Sequence, residues 1–173
     1  QSGNAQASAG TGWYRYDIST GAWHLMAPLP SALGYVMLGM DGNTSILLLG
    51  GAADAGQLMQ TNSVYRYDIA GDRWQQEHTT TPRTFSGSAS CVTGQGQLII
   101  LGGYDASVGA GLNQAWLVDL HTLSWTALAA FPPGGSVLGT AACDTAGHIF
   151  LVRGASNPNH PFADFWELTI NKG

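Results

Sequence analysis

The chain has 173 residues, of which 10% are charged, and its formal net charge at pH 7 is −5. Nucleic acids and anionic membrane surfaces recruit clustered Lys and Arg, which this chain does not contain, so neither is an expected partner. Its longest aliphatic run, over residues 46–49, is far shorter than the roughly 20 residues of a membrane-spanning helix. The 24 glycines instead favour a turn-rich β protein without a membrane span.

From residue 11 onward the chain repeats itself, after a small, polar and therefore flexible lead over residues 1–10. The glycine pair Gly50-Gly51 recurs as Gly102-Gly103, and Tyr16 and Tyr67 occupy equivalent places. Three tryptophans stand 51 residues apart, each six residues after an aspartate: Trp23 after Asp17, Trp74 after Asp68, and Trp125 after Asp119. Internal periodicity of this length indicates a repeat architecture.

Each complete unit contains four short candidate strands in a fixed order. The first alternates small residues, the second is aliphatic and ends at the glycines, the third carries aromatic residues, and the fourth contains the tryptophan. The chain divides into a partial unit over 11–30, units over 31–80 and 81–131, and a last unit over 132–171 without a fourth strand. This pattern predicts an all-β fold of four-stranded antiparallel sheets, about three in number.

The combination of Gly-Gly, Tyr-Asp and a tryptophan six residues later resembles the kelch repeat, over residues 11–171. The resemblance implies a β-propeller in which each repeat forms one blade around a central channel. The glycines then let backbones pack closely, the aromatic residues fill the space between blades, and Asp68 caps the turn that follows it. Because propellers have about four to eight blades, we expect another copy of the chain, or a second chain, to complete this one.

The two cysteines, Cys91 and Cys143, occupy equivalent places in successive units. Two cysteines are too few for a disulfide scaffold or a four-cysteine zinc site. Two buried thiols are the favoured interpretation, because free cysteine is among the most buried residue types. A bridge between neighbouring units is the alternative, and it requires Cα atoms within about 7 Å of each other.

No motif in the sequence predicts catalytic residues, a cofactor or a metal site. Function is therefore expected on loops that a rigid scaffold presents. The connections from second to third strand and from fourth to first strand should lie on one face of the propeller. We predict a binding surface there, formed by Arg83, Phe85, Tyr104, Asp105, Asn157, His160 and Phe162. The alternative is that these side chains only hold the long loops in place. Arg153, which replaces the first glycine of its pair, either points into the channel as an anion contact or pairs internally with a carboxylate, and the internal pair is the favoured interpretation.

These features predict a non-catalytic, extracellular kelch propeller segment that binds a protein or a glycan, or assembles with other subunits. The triplet Asn43-Thr44-Ser45 is a candidate glycosylation site and suits a secreted protein. The alternative, implied by the resemblance, is a structural portion of a secreted kelch-propeller enzyme such as a copper radical oxidase. In that case the active residues lie outside this chain.

Overall fold

The computed structural model describes residues 9–131, 134–156 and 160–169, which form antiparallel strands joined by turns and loops. Strands β1 (Tyr14–Asp17) and β2 (Ala22–Leu25) form an N-terminal hairpin. Blade 1 consists of β3 (Met37–Asp41), β4 (Ser45–Leu49), β5 (Val64–Asp68) and β6 (Arg73–Gln76). Blade 2 consists of β7 (Ala89–Val92), β8 (Gln97–Leu101), β11 (Ala115–Asp119) and β12 (Trp125–Leu128), with the short hairpin β9 (Tyr104–Asp105) and β10 (Ala110–Gly111) inserted after β8. Blade 3 consists of β13 (Thr140–Cys143), β14 (His148–Val152) and β15 (Phe165–Thr169).

The blades are antiparallel meanders whose strands follow one another in chain order. The all-β class predicted from the sequence is confirmed. The hairpin β9–β10 was not predicted, because its strands have only two residues each. Within the described residues no helix is long and apolar enough to cross a membrane.

Neighbouring blades pack face to face through two apolar clusters. The first joins Leu47, Leu49 and Val64 of blade 1 to Leu98 and Ile100 of blade 2, all with no exposed surface. Because side chains alternate along a strand, the next residues of β8 face the opposite way. There Ile99 and Leu101 meet Ile149 and Leu151 of blade 3 in the second cluster. Blade 2 is therefore buried on both faces.

The first strands of the three blades lie side by side, and a disulfide joins two of them. Cys91 on β7 is bonded to Cys143 on β13, with Cα atoms 5.6 Å apart. The favoured expectation of two free thiols is therefore wrong. The two positions are equivalent in successive units, and packing of adjacent inner strands brings equivalent positions within bonding distance.

The repeated glycines lie where two backbone segments pack closely, as the repeat predicts. Gly50 and Gly102 have positive φ angles of 61° and 67°. A Cβ atom on Gly50 would lie 2.9 Å from the carbonyl oxygen of Phe85, and one on Gly102 would overlap the carbonyl oxygen of Ser136. Each glycine thus admits the segment that leads into the next blade.

The aspartates accept hydrogen bonds from the backbone of the turn that follows them. Asp119 accepts from the N–H groups of His121 and Thr122, at 2.9 and 2.7 Å, and Asp17 does the same for Ser19 and Thr20. In blade 1, Asp68 accepts from Gly71 at 3.1 Å. The turn cap predicted at Asp68 is present, and Asp17 and Asp119 cap the equivalent turns in the same way.

The N-terminal hairpin lies against blade 1 but leaves its own aromatic face open. Trp13 packs edge-on against Tyr67 and Trp74, with ring centroids 5.5 and 5.3 Å apart. Tyr16 and Trp23 contact each other at 5.0 Å, as Tyr67 and Trp74 do, yet they are 46% and 70% exposed. They do not fill a space between blades, because no described strand lies on their outer side.

Blade 3 has an unpaired outer edge, because its last strand, β15, pairs with β14 and with no other described strand. The partial propeller thus needs further segments to complete it. If a second copy completed the ring, its hairpin β1–β2 would join the three strands of blade 3. That junction would hold five strands, one more than the four of blades 1 and 2. A second copy and a second chain both remain predictions.

We expect the disulfide to stabilise the contact between blades 2 and 3. Replacing Cys91 and Cys143 together by serine should lower the free energy of unfolding by about 2–4 kcal/mol, because the bridge closes a long loop in the unfolded chain. Urea unfolding with and without reductant measures this. The double variant is the control, since its midpoint should not respond to reductant; rapid alkylation of both cysteines in the native, unreduced protein would contradict the bridge.

Candidate functional site

The loops after the second strand and those before the first strand meet on one face of the blades. Backbone hydrogen bonds join Ser86, which precedes β7, to Tyr104, which follows β8, at 2.7 and 3.1 Å. The amide of Gln60, from the corresponding loop of blade 1, donates to the Tyr104 carbonyl at 2.7 Å. These segments form a single surface, hereafter the loop face.

Two of the residues predicted for binding, Arg83 and Asp105, form an ion pair on the loop face. Asp105 is buried and also accepts from the backbone N–H and the hydroxyl of Ser107, at 2.8 and 2.6 Å. Burial opposes ionisation, but the Ser107 and Arg83 hydrogen bonds outweigh it and hold the pKa of Asp105 below its usual value. Arg83 donates further to the Gln114 side chain at 3.2 Å. Both side chains therefore pin the loop rather than stand free.

Phe85 does not belong to the binding surface that the sequence predicted. Its side chain is 1% exposed and lies in the core between blades 1 and 2. The ring meets Trp125 edge-on, with centroids 6.4 Å apart. Phe85 lies just before β7, which packs between blades, and its side chain therefore joins the core instead of facing solvent.

Arg153 forms the internal ion pair that the sequence predicted. It is 5% exposed and donates to Asp164 at 2.8 Å and to the Gly134 carbonyl at 2.9 Å. Phe162 covers the guanidinium, whose carbon lies 3.4 Å from the ring centroid, so this predicted binding residue also has a packing role. His160 is exposed, and Asn157 lies outside the described residues.

A pocket of about 280 Å³ lies on the loop face, between loops of all three blades. Its walls contain the apolar residues Val137, Leu138 and Ala155. The polar side chains among its lining residues include Gln57 and Tyr104, which carry an amide and a phenolic hydroxyl. A mainly apolar concavity with a few hydrogen-bonding groups is typical of small-molecule sites.

Tyr104 was predicted from the sequence as a binding residue, and it lines this pocket. Gln57 and Leu138 were missed by sequence reasoning. Both have positive φ angles, 57° in each case, which is uncommon for residues other than glycine. No sequence pattern identifies such positions, although both lie in the connections expected on this face.

Three equivalent residues with positive φ link the first strands at the pocket. The Gly87 N–H donates to the carbonyl of Tyr35 at 2.9 Å, and the Leu138 N–H donates to the carbonyl of Gly87 at 2.7 Å. A Cβ atom on Gly87 would lie 2.9 Å from Oε1 of Gln57 and 3.1 Å from Cδ2 of Leu138. Glycine at this position therefore makes room for two of the pocket's side chains.

Among the described residues, no group of three His, Cys, Asp or Glu side chains is arranged to hold a metal ion. The two cysteines are bonded to each other, so neither is available as a free thiol to bind a metal. The alternative that this chain is part of a copper radical oxidase places the active residues elsewhere, and it stays a prediction that copper analysis of the complete protein tests.

Comparison with known proteins identifies the repeat. The Kelch motif model matches residues 87–132, which include all four strands of blade 2. The solved structure of YjhT, a kelch-type propeller, superposes with a TM-score of 0.79 over 92% of this chain and 57% of that chain, at 16% identity. This chain is a segment of a kelch-repeat β-propeller.

The kelch segment also has curated relatives. N-acetylneuraminate epimerases of Yersinia pestis (strain Pestoides F) and Yersinia pseudotuberculosis serotype O:1b (strain IP 31758) are each 30% identical to it over 112 residues. The alignment covers 58% of this chain and 27% of each epimerase. The segment thus spans about a quarter of the length of these relatives.

We expect Asp105→Asn to lower the free energy of unfolding at neutral pH by about 2 kcal/mol, because it leaves Arg83 without its buried partner. The carboxylate has a lowered pKa in the folded chain, so its contribution is complete above the unfolded value of about 3.9 and is lost as pH falls through the folded value. Urea unfolding from pH 7 to pH 3 should show the two proteins converging only below about pH 4. A constant difference across that range would contradict the ion pair.

Gly87→Ala should destabilise the segment by about 1 kcal/mol more than Gly96→Ala, its matched control. Both glycines have positive φ, 64° and 74°, and both variants incur the cost of a left-handed alanine. Only at Gly87 does the new Cβ press on Gln57, whose Oε1 accepts a hydrogen bond from Ser86 at 2.8 Å; nothing lies within 4 Å at Gly96. Thermal unfolding compares them, and equal losses would show that Gly87 does not shape the pocket.

Proposed function

We propose that this segment is the sugar-binding part of an extracellular kelch propeller that handles sialic-acid-type sugars. The pocket on the loop face carries the proposal, because three successive blades contribute to it. Similarity to N-acetylneuraminate epimerases over 112 residues supports the class of sugar. Binding by this segment, with catalytic groups elsewhere in the complete propeller, accords with a lining of neutral side chains.

The pocket suits a sugar because its polar side chains can hydrogen-bond to hydroxyl groups while its apolar side chains contact carbon atoms. Gln57 keeps its Oε1 on the Ser86 hydroxyl, at 2.8 Å, which directs the amide oxygen to the protein and leaves the NH₂ group as a donor. The Tyr104 backbone is held by Ser86 and Gln60, so its side chain projects from a fixed position. Pre-positioned donors lower the entropic cost of binding.

An extracellular or other oxidising location is supported by the disulfide. Bridges such as Cys91–Cys143 persist in oxidising compartments and are rare in the reducing cytosol. Asn43 lies in the exposed turn between β3 and β4, where a glycan has room. Glycosylation of Asn43 remains a prediction.

The proposal predicts that the 173-residue chain binds N-acetylneuraminate on its loop face. Titration followed by ¹H–¹⁵N NMR should give saturable shifts at Gln57 and Tyr104. Removing one hydrogen-bond donor with Tyr104→Phe should weaken binding about tenfold.

Tyr14→Phe is the matched control, because Tyr14 lies on the exposed face of the N-terminal hairpin, outside the pocket. Its affinity should equal that of the unmodified chain. Equal losses of affinity from the two substitutions would contradict the proposal. NMR shifts confined to the turns on the opposite face would contradict it as well.

A further inference from the structure

Charged side chains around the pocket are arranged unfavourably for a carboxylate. The two arginines of the loop face are already paired within the protein, Arg83 with Asp105 and Arg153 with Asp164. Arg153 is in addition enclosed by Phe162. Both guanidinium charges are therefore already balanced by carboxylates of the protein.

An acidic side chain lies directly beside the pocket instead. The Asp54 carboxylate comes within 3.1 Å of where a Cβ on Gly56, a lining residue, would stand. Hydrogen bonds from the backbone N–H groups of Met59 and Leu58, at 2.6 and 3.2 Å, hold the pKa of Asp54 below its usual value. Asp54 is thus ionised at neutral pH, and the whole chain carries a net charge of −5. A bound carboxylate would meet repulsion here.

The lining itself has the chemistry of an acetamido site. Val137, Leu138 and Ala155 provide an apolar wall for a methyl group. The amide of Gln57 and the hydroxyl of Tyr104 can donate to an amide carbonyl or to sugar hydroxyls. Burying a carboxylate among neutral groups is far more costly than burying an amide that keeps its hydrogen bonds.

We propose that this pocket binds the acetamido group and neighbouring hydroxyls of the sugar, and that the carboxylate is contacted by another part of the complete propeller. The proposal rests on the proposed function and adds which end of the ligand this segment recognises. Affinity for the 173-residue chain should therefore follow the acetamido group and be independent of the carboxylate.

Four sugars test the assignment by calorimetric or NMR titration: N-acetylneuraminate, its neutral acetamido analogue N-acetylmannosamine, mannose, and glucuronate. N-acetylmannosamine should bind within about threefold of N-acetylneuraminate, while mannose and glucuronate bind at least about tenfold more weakly. Added NaCl should leave the affinities unchanged, because no ion pair forms.

Binding of N-acetylneuraminate and glucuronate without N-acetylmannosamine would overturn this inference and leave the proposed function standing. Binding of none of the four sugars would overturn both. Saturation-transfer NMR gives a second readout, in which the acetamido methyl should receive more saturation than any other proton of N-acetylneuraminate. Strongest transfer to protons next to the carboxylate would contradict the assignment.

Leu138→Asn and Leu25→Asn form a matched pair of variants. Both leucines are exposed, by 55% and 71%. Leu138 lines the pocket, whereas Leu25 lies on β2 of the N-terminal hairpin. Leu138 has a φ of 57°, a conformation that asparagine tolerates. Leu138→Asn should weaken N-acetylmannosamine binding about tenfold, and Leu25→Asn should leave it unchanged; an equal effect of the two would contradict the apolar wall.

Discussion

Packing between neighbouring sheets is the interaction on which the rest of this structure depends. Blade 2 is apolar on both faces, with Leu98 and Ile100 toward blade 1 and Ile99 and Leu101 toward blade 3, and all four are fully buried. Each such side chain stabilises the fold by about 2 kcal/mol relative to exposure. Because neither face suits water, a blade depends on its neighbours, as units of repeat proteins generally do. The exposed Trp23 shows what a blade face presents where no described neighbour covers it.

This packing leaves the loop face free to carry function. The inner strands are fixed to one another by backbone hydrogen bonds at Tyr35, Gly87 and Leu138 and by the disulfide, so the connections above them start from a rigid base. The loop residues do not have to match the repeat, because they do not pack in the core. Polar side chains such as Gln57 and Tyr104 can therefore line a pocket without disturbing the core. The scaffold positions the site, while the site's own residues decide what it recognises.

Sequence reasoning succeeded where the structure depends on neighbours in the chain. The turn cap predicted at Asp68 depends on a hydrogen bond across only three residues. It failed for Phe85, because an aromatic residue beside a strand looks the same in sequence whether it turns toward solvent or toward the core. The pairing of Arg83 with Asp105 was likewise not predicted, although both residues were expected on the same surface.

The sequence by itself determined the blade type, the order of the strands and the face on which the long connections lie. Strand alternation and turn chemistry are set by sterics and hydrophobicity within a few residues, and a repeat displays them several times over. Only the tertiary structure decided that Cys91 bonds to Cys143 and that Gln57, Tyr104 and Leu138 surround one pocket. These contacts join successive blades, and their distances are set by how closely the sheets pack, which no local pattern of residues contains.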